Sequence, residues 1–260
     1  VFMSKKTLEI SKNMKNKKIK YIVLGILTTL LFFWISLNNY LFFHTTVELF
    51  SIIVAFLITI LAFHSFKEKN KALMFLGIAY GFIGGLDLFH TVTYKGMNVF
   101  PGYGANLPTQ LWIISRYLEA ISLLIFSYVK FNIDIKKTFY IYTGLGLILM
   151  ASVFYNIFPS CFIEGEGLTL FKIISEYIIV SLLIIAIFNL RRNESNFDGT
   201  ILKFMTWSII LTITSELLFT LYNDVYGFTN FSGHIAKVIS FYLIYKAIII
   251  TGIKDTFKLI

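Results

Sequence analysis

About eight long apolar stretches alternate with short polar segments along this chain. At about 1.5 Å per residue, each stretch can cross a hydrocarbon core of about 30 Å as a helix. The predicted spans are residues 20–38, 44–66, 71–91, 109–129, 137–157, 170–190, 201–222 and 232–250. The first lacks a following A-x-A cleavage site, which favours a retained span over a signal peptide. The pattern predicts an all-α, polytopic membrane helix bundle.

Composition supports a membrane location. Hydrophobic residues make up 57% of the sequence and charged residues 14%, and the mean hydropathy is +0.76. These values depart from those of soluble domains, because few polar residues remain to cover a water-exposed surface. We therefore expect a multi-pass protein of a cell membrane.

Lys and Arg residues are concentrated before the first span and in every second loop. A Lys-rich segment precedes the first span, and the loops after the second, fourth and sixth spans carry Lys67, Lys69 and Lys71, then Lys130, Lys136 and Lys137, then Arg191, Arg192 and Lys203. The positive-inside rule then places both termini in the cytoplasm. The net charge of +9 follows from this topology and anionic lipid, so no nucleic-acid partner is expected.

The same pattern divides the chain into three parts. Residues 1–19 are predicted to be a basic cytoplasmic tail, residues 20–252 a membrane-embedded domain, and residues 253–260 the start of a cytoplasmic connector. We find no Pro/Ser-rich linker and no loop long enough to fold as a separate soluble domain.

Ionisable side chains within the spans fall almost entirely in the predicted outer half of the bilayer. They are His44, Glu48, Asp87, His90, Arg116, Glu119, Glu176, Glu216, His234 and Lys237. A charged side chain near the bilayer centre costs about 2.5–3.5 kcal/mol on the insertion scale, so such residues usually face a protein interior and often mark a site.

Helical spacing groups several of these residues on shared faces. His44 and Glu48 are four residues apart, Asp87 and His90 three apart, and Trp112 lies one turn before Arg116. We expect these faces to enclose one polar chamber open towards the outside. Counting five carboxyl groups against Arg116 and Lys237 gives a formal charge of −3, which predicts either protonated carboxyl groups or a bound cation.

Blander interpretations stay open for individual residues. Arg116 with Glu119 or Asp87 can be an ion pair that fixes helix packing. The lone Cys161 has no partner for an internal disulfide. Glu164 and Glu166 suggest a solvated acidic turn. A metal or haem, if one is bound, would be held by His44, His90 and His234.

The run GGLDLFHTVTYKGMNVFPGYGANLPTQLWIISRYLEAISLL, residues 84–124, resembles the signature region of the MASE3 family, a membrane-associated sensor domain of bacteria and archaea. The resemblance is carried by the elements D-x-x-H-T-x-x-Y-K-G-M, A-N-x-x-T-Q-L-W and R-Y-x-E. It implies a sensory module that precedes cytoplasmic PAS, histidine kinase or diguanylate cyclase units. The motif residues are Asp87, His90, Tyr94, Lys95, Gly96, Asn106, Gln110, Trp112, Arg116 and Glu119.

We therefore predict a sensory input domain that binds a small ligand, ion or protons and signals through its last helix. The candidate ligand-binding residues are Asp87, His90, Tyr94, Lys95, Gln110, Trp112, Arg116, Glu119, His44, Glu48, Glu216 and His234. The expected partners are the lipid bilayer, a signalling output domain in cis or trans, and a second copy in a homodimer. A transporter and a haem-binding intramembrane redox protein are the alternatives. Catalysis is not expected, because HExxH, GxSxG and P-loop motifs are missing.

Overall fold

The computed structural model describes residues 5–65, 71–128, 134–221 and 227–257. Its helices are α1 (Lys5–Asn38), α2 (Tyr40–Ser65), α3 (Lys71–Thr93), α4 (Asn106–Ser127), α5 (Ile135–Phe154), α6 (Leu170–Arg192), α7 (Gly199–Phe219) and α8 (Phe228–Phe257). Strands β1 (Phe162–Ile163) and β2 (Gly167–Leu168) form a small hairpin. The predicted all-α polytopic bundle is confirmed.

Seven of the described helices, α1 to α7, are long and apolar enough to cross a membrane. The eighth, α8, is 30 residues long and packs along α7 as part of the same bundle. The predicted cytoplasmic location of the termini stays a prediction. Lys67, Lys69 and Lys130, which support that orientation, lie outside the described residues, as do the first four residues of the predicted tail and the last three of the predicted connector.

The chain forms two compact units, Val1–Phe43 and His44–Ile260. In the first unit, α1 begins at Lys5, so the described part of the predicted basic tail is helical and continuous with the first span. Asn39 caps the start of α2: its side-chain oxygen accepts a hydrogen bond from the N–H of Phe42 at 3.0 Å.

Three later helices begin at residues whose side chains cap the free N–H groups of the first turn. Asp134 accepts from the N–H groups of Lys136 and Lys137 at the start of α5. Thr169 and Asp198 do the same for α6 and α7. These caps fix where the chain enters the bundle after each loop, and thus the register of the side chains that follow.

Small residues set the contact between α2 and α3. A Cβ atom added at Gly77 would overlap the Cβ of Ala62, and one added at Gly84 would lie 2.9 Å from the Cβ of Ala55. Lipid tails are as apolar as the helices, so close backbone approach of this kind is what holds membrane helices together. The contact places the N-terminal end of α2 directly beside the C-terminal end of α3.

Hydroxyl groups join α7 to α8 in a similar way. The Ser240 hydroxyl lies 2.8 Å from the Ser208 hydroxyl and 2.7 Å from that of Thr212. Nearer the other end of the pair, Ser215 donates to the carbonyl of Gly233 at 2.8 Å. Each of these side chains is buried, so the helix pair is held by satisfied polar contacts as well as by packing.

The β1–β2 hairpin is fastened over the start of α4. The Asn106 side-chain oxygen accepts from the N–H groups of Cys161 and Phe162. Gln110 donates to the carbonyls of Phe158 and Pro159, both at 3.0 Å. Cys161 is a free, buried cysteine, and burial raises the pKa of its thiol to about 12, so the thiol stays protonated and unreactive at neutral pH.

We expect Gly77→Ala to destabilise the bundle, because the added methyl group forces α2 and α3 apart. The free energy of unfolding should fall by about 1–3 kcal/mol or more, the usual cost of overpacking. Thermal unfolding in detergent measures the change. Gly85→Ala is the matched control on the same helix, since a Cβ there meets nothing within 4 Å. It should be neutral or stabilising by up to about 1 kcal/mol; equal losses in both variants would contradict this packing account.

Candidate functional site: a buried network of charged side chains

Arg116 lies at the centre of a buried network. Its Nη2 donates to both carboxylate oxygens of Asp87, at 2.7 and 2.8 Å, and its Nη1 pairs with Glu119. Ser115 donates to Asp87 at 2.6 Å, and Tyr80 donates to Glu119 at 3.0 Å. All five side chains are buried, so these charges are compensated by contact with one another rather than by water.

Lys237 extends the network from α3 and α4 to α2 and α8. Its ammonium nitrogen lies 2.6 Å from Oε2 of Glu48 on α2 and 2.9 Å from Oδ2 of Asp87 on α3. The same nitrogen lies 4.5 Å from the centre of the Trp112 ring, and the Arg116 guanidinium lies 4.8 Å from it. One lysine of the last helix therefore holds carboxylates of two earlier helices.

Three histidines line the side of the network nearer the loop between α3 and α4. The Nε2 atoms of His44 and His90 are 3.3 Å apart, and His44 stacks on Tyr94 with ring centres 3.6 Å apart. The Nδ1 of His90 lies 2.8 Å from the carbonyl oxygen of Pro108. His234 contributes its Nδ1 atom, 2.9 Å from Oε1 of Glu48.

A second group of charges joins α6 to α7. Lys172 lies 2.8 Å from Glu176 and also donates to the Phe219 carbonyl at the end of α7, where a helix dipole favours a cation. The carboxyl group of Glu216 lies against that of Glu176. Two adjacent carboxyl groups in a low-dielectric interior require a shared proton or a nearby cation.

A small cavity lies between the histidines and the loop that joins α3 to α4. Its volume is about 30 Å³, and its wall includes His90, Trp112, Lys172 and His234. That volume holds one or two water molecules. The indole N–H of Trp112, one of the wall residues, is buried and has no hydrogen-bond acceptor among the described residues.

The structure brings most of the sequence-predicted site residues together. Tyr94 stacks on His44. Nine further predicted residues are buried in or beside the network: His44, Glu48, Asp87, His90, Trp112, Arg116, Glu119, Glu216 and His234. Gln110 lies apart and anchors the hairpin loop. Lys95 is half-exposed, pairs with Glu164 at 2.7 Å and contributes to the wall of the cavity. Gly96 has a φ of 100°, which suits a glycine in the turn after α3.

Sequence reasoning missed three members of the site. Lys172 is buried beside Glu176, four residues away on the same helix, a spacing that could have revealed it. Tyr80 lies two turns before Asp87 on the same face of α3, so its spacing could also have indicated it. The position of Ser115 in the sequence gives no such indication. With Lys172 included, five buried carboxyl groups face three buried cations among the described residues, so the formal charge is −2 rather than −3.

Three described residues could hold a metal ion, and two of them belong to the predicted histidine trio. His44, Glu48 and His90 offer ligand atoms that all lie within 4.8 Å of one another. A role for His234 as a ligand stays a prediction. A haem group does not fit: the cavity of about 30 Å³ is far smaller than a porphyrin, and the facing nitrogens of His44 and His90 leave no room for a macrocycle between them.

Asp87→Asn should strongly destabilise the protein, because it leaves Arg116 and Lys237 without the carboxylate that both contact. Breaking a buried ion pair by removing one partner costs about 3–5 kcal/mol. Thermal and denaturant unfolding in detergent measure the change. Glu164→Gln is the control, since it removes a carboxylate from an exposed pair and should cost at most about 1 kcal/mol. Equal effects would contradict the network account.

Glu164 should also make the hairpin contact dependent on pH. Its carboxylate accepts from Lys95 and from the N–H of Ala105, and the hydrogen bond from Lys95 is the main reason that the pKa of Glu164 lies below its usual value. A lowered pKa means that the stabilisation is present at neutral pH and is lost as pH falls through the folded-state pKa. The difference in melting temperature between wild type and Glu164→Gln should therefore vanish at acid pH. A difference that persists in acid would contradict the assignment.

The sequence matches the MASE3 family, described as a membrane-associated sensor domain, over residues 35–255. That range contains every residue of the buried network. No curated protein and no solved structure matches the chain. The family match and the seven membrane-spanning helices establish a multi-pass cell-membrane protein, while the expected lack of catalytic activity stays a prediction. The chain belongs to the MASE3 family of membrane-associated sensor domains.

Proposed function

We propose that this sensory domain detects a small ligand, an ion or protons in the chamber formed by the buried network, and reports occupancy through α8. One observation carries the proposal: Lys237 on the last helix contacts Glu48 on α2 and Asp87 on α3 at the same time. Any change in charge at these carboxylates changes how α8 is held.

The cost of the network supports a functional role. Replacing buried ion pairs by well-packed apolar residues is often neutral or stabilising by about 1–4 kcal/mol, so such pairs are weak evidence of a purely structural purpose. Here eight charged side chains and three histidines are buried inside the bundle. Intramembrane ionisable residues of this kind mark ion, proton or ligand sites in many membrane proteins.

The dimensions of the chamber limit what it detects. A cavity of about 30 Å³ accepts an ion, a proton with its water, or a very small molecule, but a larger metabolite would need helices to separate. The polar wall residues His90, Lys172 and His234 carry the kinds of side chain that would contact such an occupant.

Transmission requires two positions of α8 with different affinities for the occupant. Helix shifts of about 1–2 Å are a common means of signalling between packed helices. We propose that α8 passes such a shift to a cytoplasmic output domain of the histidine kinase, PAS or diguanylate cyclase type, in cis or in trans, and that the domain acts as a homodimer.

Lys237→Met should move α8, because it removes the cation that Glu48 and Asp87 share. Spin labels at Ile239→Cys on α8 and Tyr140→Cys on α5, both exposed positions, in a Cys161→Ser background, report the distance. We expect the distribution to shift or broaden by at least about 1–2 Å relative to the labelled parent.

Lys246→Met on the same helix is the matched control, since Lys246 lies over the Tyr242 ring rather than in the network. Its distribution should coincide with that of the parent. If Lys237→Met also coincides with the parent, the proposed coupling between the chamber and α8 is wrong.

A further inference from the structure

The Nε2 atoms of His44 and His90 lie 3.3 Å apart, a separation that suits either a hydrogen bond between the two rings or two ligands of one metal ion. His90 must donate from Nδ1 to the Pro108 carbonyl at 2.8 Å, because a carbonyl oxygen only accepts. In neutral His90 the Nε2 atom therefore carries a lone pair. That lone pair faces Nε2 of His44 at 3.3 Å. A metal ligand histidine is oriented in this way, with its other ring nitrogen bonded to a carbonyl or carboxylate.

The separation of the two nitrogens matches a chelating pair. Imidazole nitrogens lie about 2.0–2.1 Å from zinc, and two of them on a tetrahedral ion are therefore roughly 3.3–3.4 Å apart. His44 and His90 have this separation without any movement. Glu48, one turn after His44 on α2, completes a set of three ligand atoms within 4.8 Å of one another.

The surroundings of Glu48 also suit a bound cation. His234 lies 2.9 Å from its Oε1 atom, which orients the carboxylate as outer contacts orient metal ligands. Among the described residues of α2, α3, α4 and α8, three buried carboxylates face two buried cations, so this part of the interior keeps excess negative charge. His90 also lines the neighbouring cavity, which has room for a water molecule.

We propose that His44, His90 and Glu48 form a binding site for a divalent transition-metal ion of the zinc type. The inference rests on the proposed function and names the occupant of its chamber. A divalent ion at Glu48 competes with the Lys237 ammonium, which lies 2.6 Å from the same carboxylate. Binding of the ion would therefore loosen the hold of α8 on α2, and an occupied site and an empty one would differ in the position of α8.

Metal content of the purified full chain tests the site directly. After chelator treatment, the protein in detergent is mixed with Zn²⁺, desalted, and analysed for bound metal. We expect about one equivalent per chain, as for a three-ligand site. His44→Gln and His90→Gln should bind at least roughly 10–100-fold more weakly. His64→Gln is the control, because His64 is exposed on α2 and bonded only to the Ile60 carbonyl among the described contacts.

Spectroscopy of the wild type covers the case in which these variants fail to fold. The Co²⁺ form should show the intense visible absorption of a four-coordinate ion, and X-ray absorption of the Zn²⁺ form should show two imidazole ligands. No retained metal, a weakly coloured six-coordinate Co²⁺ form, or Zn²⁺ bound equally by folded His44→Gln and His90→Gln would overturn the assignment.

The two proposals fail separately. If Zn²⁺ does not bind while Lys237→Met still moves α8, the chamber remains coupled to α8 and only its metal occupant is wrong. If Zn²⁺ binds and neither Zn²⁺ nor Lys237→Met alters the label distance, the site exists but the proposed signalling route does not.

Discussion

The placement of every charged group in this bundle is governed by the cost of burying charge where water cannot reach it. Asp87 is tolerated because Arg116, Lys237 and Ser115 all contact its carboxylate. Each of those partners comes from a helix that must hold its register for the contact to persist. The network thus ties α3, α4 and α8 into one arrangement, and a change in any single charge is felt by helices that do not touch each other at that point.

Structural devices away from the network keep its members in place. The glycine contact between α2 and α3 puts His44 and Glu48 beside His90 and Asp87. The hairpin held by Asn106 and Gln110 covers the loop end of α4. These parts are held by close packing and neutral hydrogen bonds, which a change in the charges of the network would not disturb. The bundle can therefore stay folded while the charged contacts of α8 change.

Much of this site could be predicted because intramembrane charges are rare and helical spacing is regular. The three-residue spacing of Asp87 and His90 and the position of Arg116 within a span predicted that these side chains would lie close together, and the structure brings Arg116 into contact with Asp87. The partners could not be assigned, because helix rotation decides whether Arg116 meets Asp87, Glu119 or both. Lys172 was missed because a lysine at the end of a span usually reaches the interface, whereas here it turns inward to Glu176.

The central claim is that Lys237 and Glu48 act as one unit that fastens the last helix to α2. A double-mutant cycle with Glu48→Gln, Lys237→Met and the double variant measures their coupling in unfolding free energy. The account predicts a coupling of roughly 1–3 kcal/mol, with the double variant more stable than the sum of the single losses implies. Losses that add to within about 0.5 kcal/mol would contradict it.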